Sequence, residues 1–295
     1  MGTFAVPQYL AETAAREPAV AEWLSRIPKI VASLADRWSL SVGEPFQPGG
    51  QCSWTAPATH ASGAALVLKV AFRFPSGDER DEAAGLKAWD GNGAVRVHAV
   101  ADSECSYELL LERCVPGGTL GQLLPEPEQD VVVAGLLRRL WSQPHDAYPF
   151  RSLAQMCAAW ADEFAVEYAS APPGDRLDAG LARAGIALFR ELPATAADEV
   201  LLCTDLHAGN ILAASREPWL VIDPKPYVGD PAYDVLQHML NCDARLAINA
   251  AGLADRMADL AGLDRARVRS WLFARAVQES IGSPLLHRVA RQLAP

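Results

Sequence analysis

The spacing of apolar residues changes twice along the chain, and the changes divide it. Between residues 8 and 38 Leu10, Ala14, Ala21, Leu24, Ile27, Ile30, Val31 and Leu34 fall near helical spacing. This predicts a helical leader broken at Pro18 and Pro28 and packed on the outside of the strands after it. From residue 38 the period shortens to strand-like runs at 38–42, 52–57, 64–72, 94–100 and 107–112, with one helix at 81–89 among them. After residue 119 the helical period returns at 131–141, 151–169 and 177–192, and again at 231–242, 245–260, 265–280 and 284–293. Between these two sets lie short apolar runs at 211–214 and 219–222, joined by Ser215-Arg216-Glu217-Pro218, which predicts a hairpin. Strands first and helices later predict an α+β chain in two segregated lobes. The expected divisions are a β-rich lobe at 1–112, a hinge at 113–118 where Pro116, Gly117 and Gly118 supply turn chemistry, and a mainly helical lobe at 119–295.

Composition narrows the partners. The chain has 295 residues, half of them apolar, enough for a substantial core. A net charge of −10 argues against nucleic-acid binding, which needs a basic surface, and favours cationic small partners. The six cysteines are scattered without a C-x-x-C pair, so neither a zinc site nor a disulfide framework is expected. The first residues lack the basic and apolar regions of a secretory signal, Val6 breaks the myristoylation pattern, and no apolar run approaches spanning length. The expectation is a soluble cytoplasmic protein with no membrane partner.

The candidate chemistry lies around the hairpin. Asp205 and Asn210 stand before it and at its start, and Asp223 at its exit. A hairpin brings its ends together, so two carboxylates and a carboxamide are expected to converge. Hard oxygen donors of this kind suit Mg²⁺ and the phosphates it carries, with one carboxylate left to accept a proton. The competing reading is a group of loop carboxylates that cap helices and turns. Lys69 interrupts the apolar run ALVLKVAF. Val67 and Ala71 share its face of the strand and offer an ammonium nothing, so the partner must come from elsewhere, or the side chain must reach solvent. Glu82, near the start of the following helix, is the candidate partner, and Glu79 competes with it. Gly49 and Gly50 permit a tight turn whose backbone amides could approach a phosphate, although such a turn in isolation is usually only a hairpin. His98 reads as a structural histidine within a strand.

The wording of this central stretch, TDLHAGN followed by a hairpin and IDPKPYVGDPAYD, resembles the aminoglycoside/hydroxyurea antibiotic resistance kinases, in particular their streptomycin 6-phosphotransferase-like branch. PGGQCSW at 48–54 is similar to the phosphate-covering loop of that branch, and LLLER-x-x-PGG at 109–118 to its hinge. The resemblance implies a protein-kinase-like fold and ATP-dependent phosphorylation of a small hydroxyl-bearing acceptor with Mg²⁺. It implies Asp205 as the proton acceptor, Asn210 and Asp223 as metal ligands, and Lys69 braced by Glu82 on the α- and β-phosphates. It further implies Gly49, Gly50 and Ser53 over the phosphates, and the backbone around Glu112 and Cys114 against the adenine. His207 could be mistaken for a second base or metal ligand; the resemblance implies a loop-shaping residue. Asp230 reads as a helix cap and Asp234 as a tie between helix and loop.

The sequence departs from the wider pattern where Cys203-Thr204 replaces His-Gly before the aspartate, leaving the backbone at 204 less freedom, and where Pro224-Lys225-Pro226 follows the metal aspartate. A polycationic aminocyclitol acceptor calls for carboxylates. Asp162, Glu163, Glu167, Asp243 and Glu279 are the candidates, against the plainer reading of solvated helix faces. The expected activity is O-phosphorylation of an aminoglycoside, streptomycin at its 6-hydroxyl foremost. The alternatives are a hydroxyurea or other small-metabolite kinase, a nucleotide-binding regulatory module without turnover, and a metal hydrolase built on the D-x-H pattern.

Overall fold

A computed structural model describes residues 4–73, 78–144, 146 and 148–295, with the backbone alone for residues 78 and 79. The sequence implies a charged turn at 76–80 and a loop at 144–150; both fall partly outside the described residues, as does the side chain of Glu79. The chain forms two compact units, Met1–Gly117 and Gly118–Pro295.

The first unit opens with α1 (Gln8–Arg16) and α2 (Pro18–Arg37). The expected break at Pro18 is present, but Pro28 lies inside α2 without ending it. Pro28 is exposed, while Val20, Trp23, Ile27, Val31 and Leu34 form one buried stripe. Burial of that stripe outweighs the backbone bond that proline removes. Next come β1 (Leu40–Val42), β2 (Ser53–His60), β3 (Ala65–Phe72), α3 (Asp78–Trp89), β4 (Val97–Asp102) and β5 (Ser106–Glu112). The strands form one antiparallel sheet in the order β1-β2-β3-β5-β4. Alternation assigns its two faces. Trp54, Ala56, Leu68 and Val70 pack with the apolar stripe of α2, so the leader covers one face. Lys69 is on the opposite face of β3, between Thr55 of β2 and Leu109 of β5 in register.

The second unit contains α4 (Leu120–Leu123), α5 (Glu126–Trp141), α6 (Leu153–Ser170), α7 (Ala179–Glu191), β6 (Val200–Leu202), β7 (Ile211–Ala213), β8 (Trp219–Val221) and β9 (Tyr227–Gly229). It ends with α8 (Pro231–Asp234), α9 (Leu236–Leu240), α10 (Asp243–Ala261), α11 (Arg265–Gln278) and α12 (Pro284–Leu293). Helix α5 begins earlier than its apolar period suggests because Pro125 and Pro127 fall at its start, where the missing N–H has no helical partner to lose. β7 and β8 form the expected hairpin. The pairing of β6 with β9 was not legible, because the β7–β8 hairpin lies between the two strands and no tight turn joins them. The helical core centres on Trp271, packed edge-on against Phe189 and Tyr233, and on Phe164, Phe273 and Val277. Gly185 lets α7 approach α11 closely, since a Cβ there would stand 2.4 Å from Val277.

Candidate functional site

The buried lysine in the first unit has its partner. Lys69 Nζ donates to Glu82 Oε2 at 2.7 Å, with both side chains at least nine-tenths buried. Removal of either member would break a buried ion pair, a change that typically costs about 3–5 kcal/mol. Strand β3 fixes the lysine between two neighbouring strands, and α3 carries the glutamate to the same face.

Gly49 has a φ of +78°, and a Cβ there would lie 2.4 Å from Pro7, so packing against the leader already demands glycine. The turn is tied to α1 by Tyr9 N–H donating to the Pro48 carbonyl at 3.2 Å and Gln8 N–H to Gln47 Oε1 at 3.1 Å. At Gly50 a Cβ would stand 3.0 Å from Ser53 Oγ, so these two residues are neighbours. Glu112 turns its carboxylate toward the Arg96 N–H at 3.0 Å, and Cys114 is buried beside the left-handed turn at Gly117.

In the second unit the hairpin gathers its ends. The Ile222 N–H donates to the Asn210 carbonyl at 2.9 Å, extending the β7–β8 ladder to the residue before Asp223. Asn210 Nδ2 donates to the Asp205 carbonyl at 3.0 Å. This commits the amide nitrogen and leaves Oδ1 as an acceptor, which suits a hard cation. Asp205 and Asn210 are therefore joined directly, and the ladder carries the chain on to Asp223, the next residue after Ile222.

Asp234 anchors that arrangement from below. Its Oδ2 accepts from Cys203 N–H at 2.9 Å and Trp141 Nε1 at 2.8 Å, and its Oδ1 from Thr204 N–H at 2.6 Å. Burial pushes its carboxyl up to about 6, against the lowering effect of those three donors. Asp230 caps α8 through the Ala232 N–H and also accepts from Arg267 Nε at 2.6 Å and Trp271 Nε1 at 2.5 Å. His207 accepts the Gly209 N–H on Nδ1 at 3.0 Å. Burial lowers its pKa, opposed by the Asp205 and Asp223 carboxylates, so the imidazole is neutral at pH 7 and shapes the loop through that bond.

The sequence departures at Thr204 and Lys225 carry no assigned role by themselves. Lys225 Nζ lies 3.1 Å from Asp205 Oδ2, yet in the sequence it is only the middle of Pro-Lys-Pro. Thr204 and Asp223 both adopt left-handed backbone, with φ of +51° and +52°. A β-branched residue at such an angle is an outlier that no propensity scale anticipates.

The five acidic acceptor candidates are dispersed over three elements. Asp162 on α6 is exposed and accepts from Arg190 at 2.6 Å, and Glu163 and Glu167 are exposed on the same helix. Asp243 is exposed in the first turn of α10. Glu279, just past α11, accepts from Arg275 at 2.5 Å, and that guanidinium stacks over Trp160. Among the described residues no helix is long and apolar enough to cross a membrane.

Comparison with known proteins adds independent information. The sequence profile of the aminoglycoside/hydroxyurea antibiotic resistance kinases matches residues 37–282. A streptomycin 6-kinase of Streptomyces griseus is 34% identical over 94% of this chain and 90% of its own length. A hydroxyurea phosphotransferase of Kitasatospora aureofaciens is 35% identical over 94% of this chain and 79% of its own. Among solved structures, aminoglycoside phosphotransferase APH(4)-Ia superposes with a TM-score of 0.60 at 16% identity, covering 90% of this chain and 98% of that one. APH(3'')-Id of Streptomyces rimosus, in complex with ADP and streptomycin, gives 0.56 at 18% identity over 86% of this chain and 98% of that one. At these identities the structures establish the protein-kinase-like fold.

Proposed function

The chain belongs to the aminoglycoside/hydroxyurea antibiotic resistance kinase family and is a small-molecule kinase; from that premise we propose that it transfers the γ-phosphoryl group of ATP to an aminoglycoside, with the 6-hydroxyl of streptomycin as the leading acceptor. The observation that carries the reading is the joining of Asp205, Asn210 and Asp223 at one end of the β7–β8 hairpin. Family membership speaks against a metal hydrolase built on the D-x-H pattern, and Lys69, Asp205, Asn210 and Asp223 together argue against a module without turnover.

In this reading the acceptor hydroxyl hydrogen-bonds to the Asp205 carboxylate and is oriented by it. Its oxygen forms the new bond to the γ-phosphorus, and the bond from that phosphorus to the β–γ bridging oxygen breaks. ADP leaves with the electron pair, and the hydroxyl proton passes to Asp205 late in a loose transition state. Lys69, braced by Glu82, holds the α- and β-phosphates. Gly49, Gly50 and Ser53 cover the phosphates, and the backbone at Glu112 and Cys114 reads the adenine. Asn210 Oδ1 and the Asp223 carboxylate suit Mg²⁺, which when bound neutralises triphosphate charge. Asp162, Glu163, Glu167, Asp243 and Glu279 are proposed as carboxylates for a cationic acceptor, with Glu163, Glu167 and Asp243 exposed to solvent.

The second reading is phosphorylation of hydroxyurea, favoured by a relative of that activity at 35% identity, against 34% and 32% for two streptomycin 6-kinases. The test is ADP release with streptomycin, other aminoglycosides, hydroxyurea and simple sugars, each with Mg²⁺ and ATP. Release dependent on streptomycin supports the leading reading. Release with hydroxyurea alone replaces it by the second, and no release with any acceptor sinks both.

A further inference from the structure

Thr204 adopts a left-handed backbone angle that glycine would adopt without strain. For a β-branched residue that angle is strained. Its side chain explains what glycine would forfeit: Thr204 Oγ1 donates to the Lys225 carbonyl at 2.5 Å. The Lys225 N–H in turn donates to the Cys203 carbonyl at 3.0 Å. Both peptide groups of residue 225 are thus bonded to the two residues that precede Asp205. The side chain between them reaches Asp205 Oδ2 at 3.1 Å. As a stabilising contact this pair is poor, because the lysine is half exposed and water screens the attraction. Backbone strain accepted to hold so weak a contact points to a role in the reaction.

We propose that Lys225 is a further catalytic residue that donates from its ammonium to the phosphoryl group in transfer, and that Thr204 is its positioning residue. The proposal rests on the phosphotransfer reading above. An acceptor oxygen hydrogen-bonded to Asp205 sits about 2.6–3.2 Å from that carboxylate. The phosphorus under attack lies about 3–3.5 Å beyond the oxygen. A cation already 3.1 Å from the same carboxylate is then within reach of the oxygens on that phosphorus. Lysine suits the task, with three rotatable donors on a flexible stem. Asp205 keeps its own role because Oδ2 faces the ammonium while Oδ1 takes the hydroxyl proton. The Cys203-Thr204 departure from the wider family pattern is, on this account, the mount for an added cation.

Two measurements test this in the full chain. Calorimetric titration with Mg²⁺ and either ADP or AMP-PNP needs no acceptor. Lys225→Ala should lose about tenfold in AMP-PNP affinity and keep its ADP affinity, because only AMP-PNP carries the third phosphate. Steady-state kinetics should show kcat lowered by roughly 10²–10³ with the acceptor KM unchanged. Lys225→Arg should recover part of both. Thr204→Gly, which retains the backbone angle and removes the hydroxyl, should lower kcat by roughly ten- to a hundredfold, while Thr204→Ser should restore it. Equal AMP-PNP affinity in wild type and Lys225→Ala overturns the proposal, as does a parallel fall for both nucleotides. A wild type that turns over normally beside an unimpaired Lys225→Ala strikes this inference alone. A wild type that binds both nucleotides and phosphorylates no acceptor strikes the phosphotransfer reading.

Discussion

Asp205 combines partial exposure with a carbonyl held by Asn210 and a carboxylate beside Lys225, so its substitution should remove chemistry without removing the fold. Asp205→Ala is expected to slow turnover by about 10²-fold or more, with the melting temperature near that of wild type. Full turnover in that variant would refute the assignment. Asp234 behaves differently, because it is fully buried and its carboxyl is raised to about 6. Between about pH 4 and 6 the folded chain keeps a proton on this residue that the unfolded chain has released. Its contribution to stability therefore falls as pH rises across that window and is constant above it. Asp234→Asn cannot titrate and turns an NH₂ toward donors, so it should be less stable by about 1–3 kcal/mol at the acid end. Urea melts from pH 4 to 8 should show the gap between wild type and variant narrowing up to about pH 6. A gap that widens over that range contradicts the assigned direction. At this scale the sequence exposes residue types, such as a lysine among aliphatics. It conceals backbone angles, so the strain at Thr204 and Asp223 emerges only in the folded chain.

Element by element, one buried carboxylate joins three helices. Asp130 on α5 accepts from His238 Nε2 of α9 at 2.9 Å, from both terminal nitrogens of Arg245 and from Arg256 Nε of α10 at 2.7 Å. Burial raises its carboxyl, but those bonds together outweigh burial and hold it well below the usual range. Asp130→Ala should destabilise the chain by about 3–5 kcal/mol, read as a lower urea midpoint. A loss under about 1 kcal/mol would show that the arginines find other partners. Nothing in the sequence marks this hub, since Asp130 lies more than a hundred residues from each of its side-chain donors. The stripe of α2 and the five sheet strands were legible from the spacing of apolar residues. The misread features have identifiable causes: Pro28 is tolerated because its helix is held by packing, and β6 and β9 pair across the intervening β7–β8 hairpin with no turn to mark the pairing.

For the whole molecule, charge makes the sharpest prediction. A chain of net charge −10 attracts a polycation through a field that salt screens, with a Debye length of about 10 Å at 0.1 M. If streptomycin is the acceptor, its KM should rise several-fold between about 50 and 300 mM salt, as read at saturating ATP. Hydroxyurea is neutral, and its KM should be nearly insensitive over the same range. A flat streptomycin profile would indicate that field attraction has no part in its capture. Each compact unit has its own apolar core, one around Trp23 and Trp54 and the other around Trp271 and Phe273. A long-range field is therefore an attribute of the complete chain rather than of either core.

Local order is written in the sequence, because helical and strand periods, turn residues and a hairpin's return depend on neighbours a few positions away. From those came the α+β division, the hairpin that joins Asp205, Asn210 and Asp223, and the requirement that Lys69 find an acid. Contacts set by packing between distant segments had to await the fold. Asp130 meeting α9 and α10, Asp234 reaching back to Cys203 and Thr204, and Lys225 lying against Asp205 are all of that kind. Each depends on where burial brings chain segments together, and residue spacing carries no record of it.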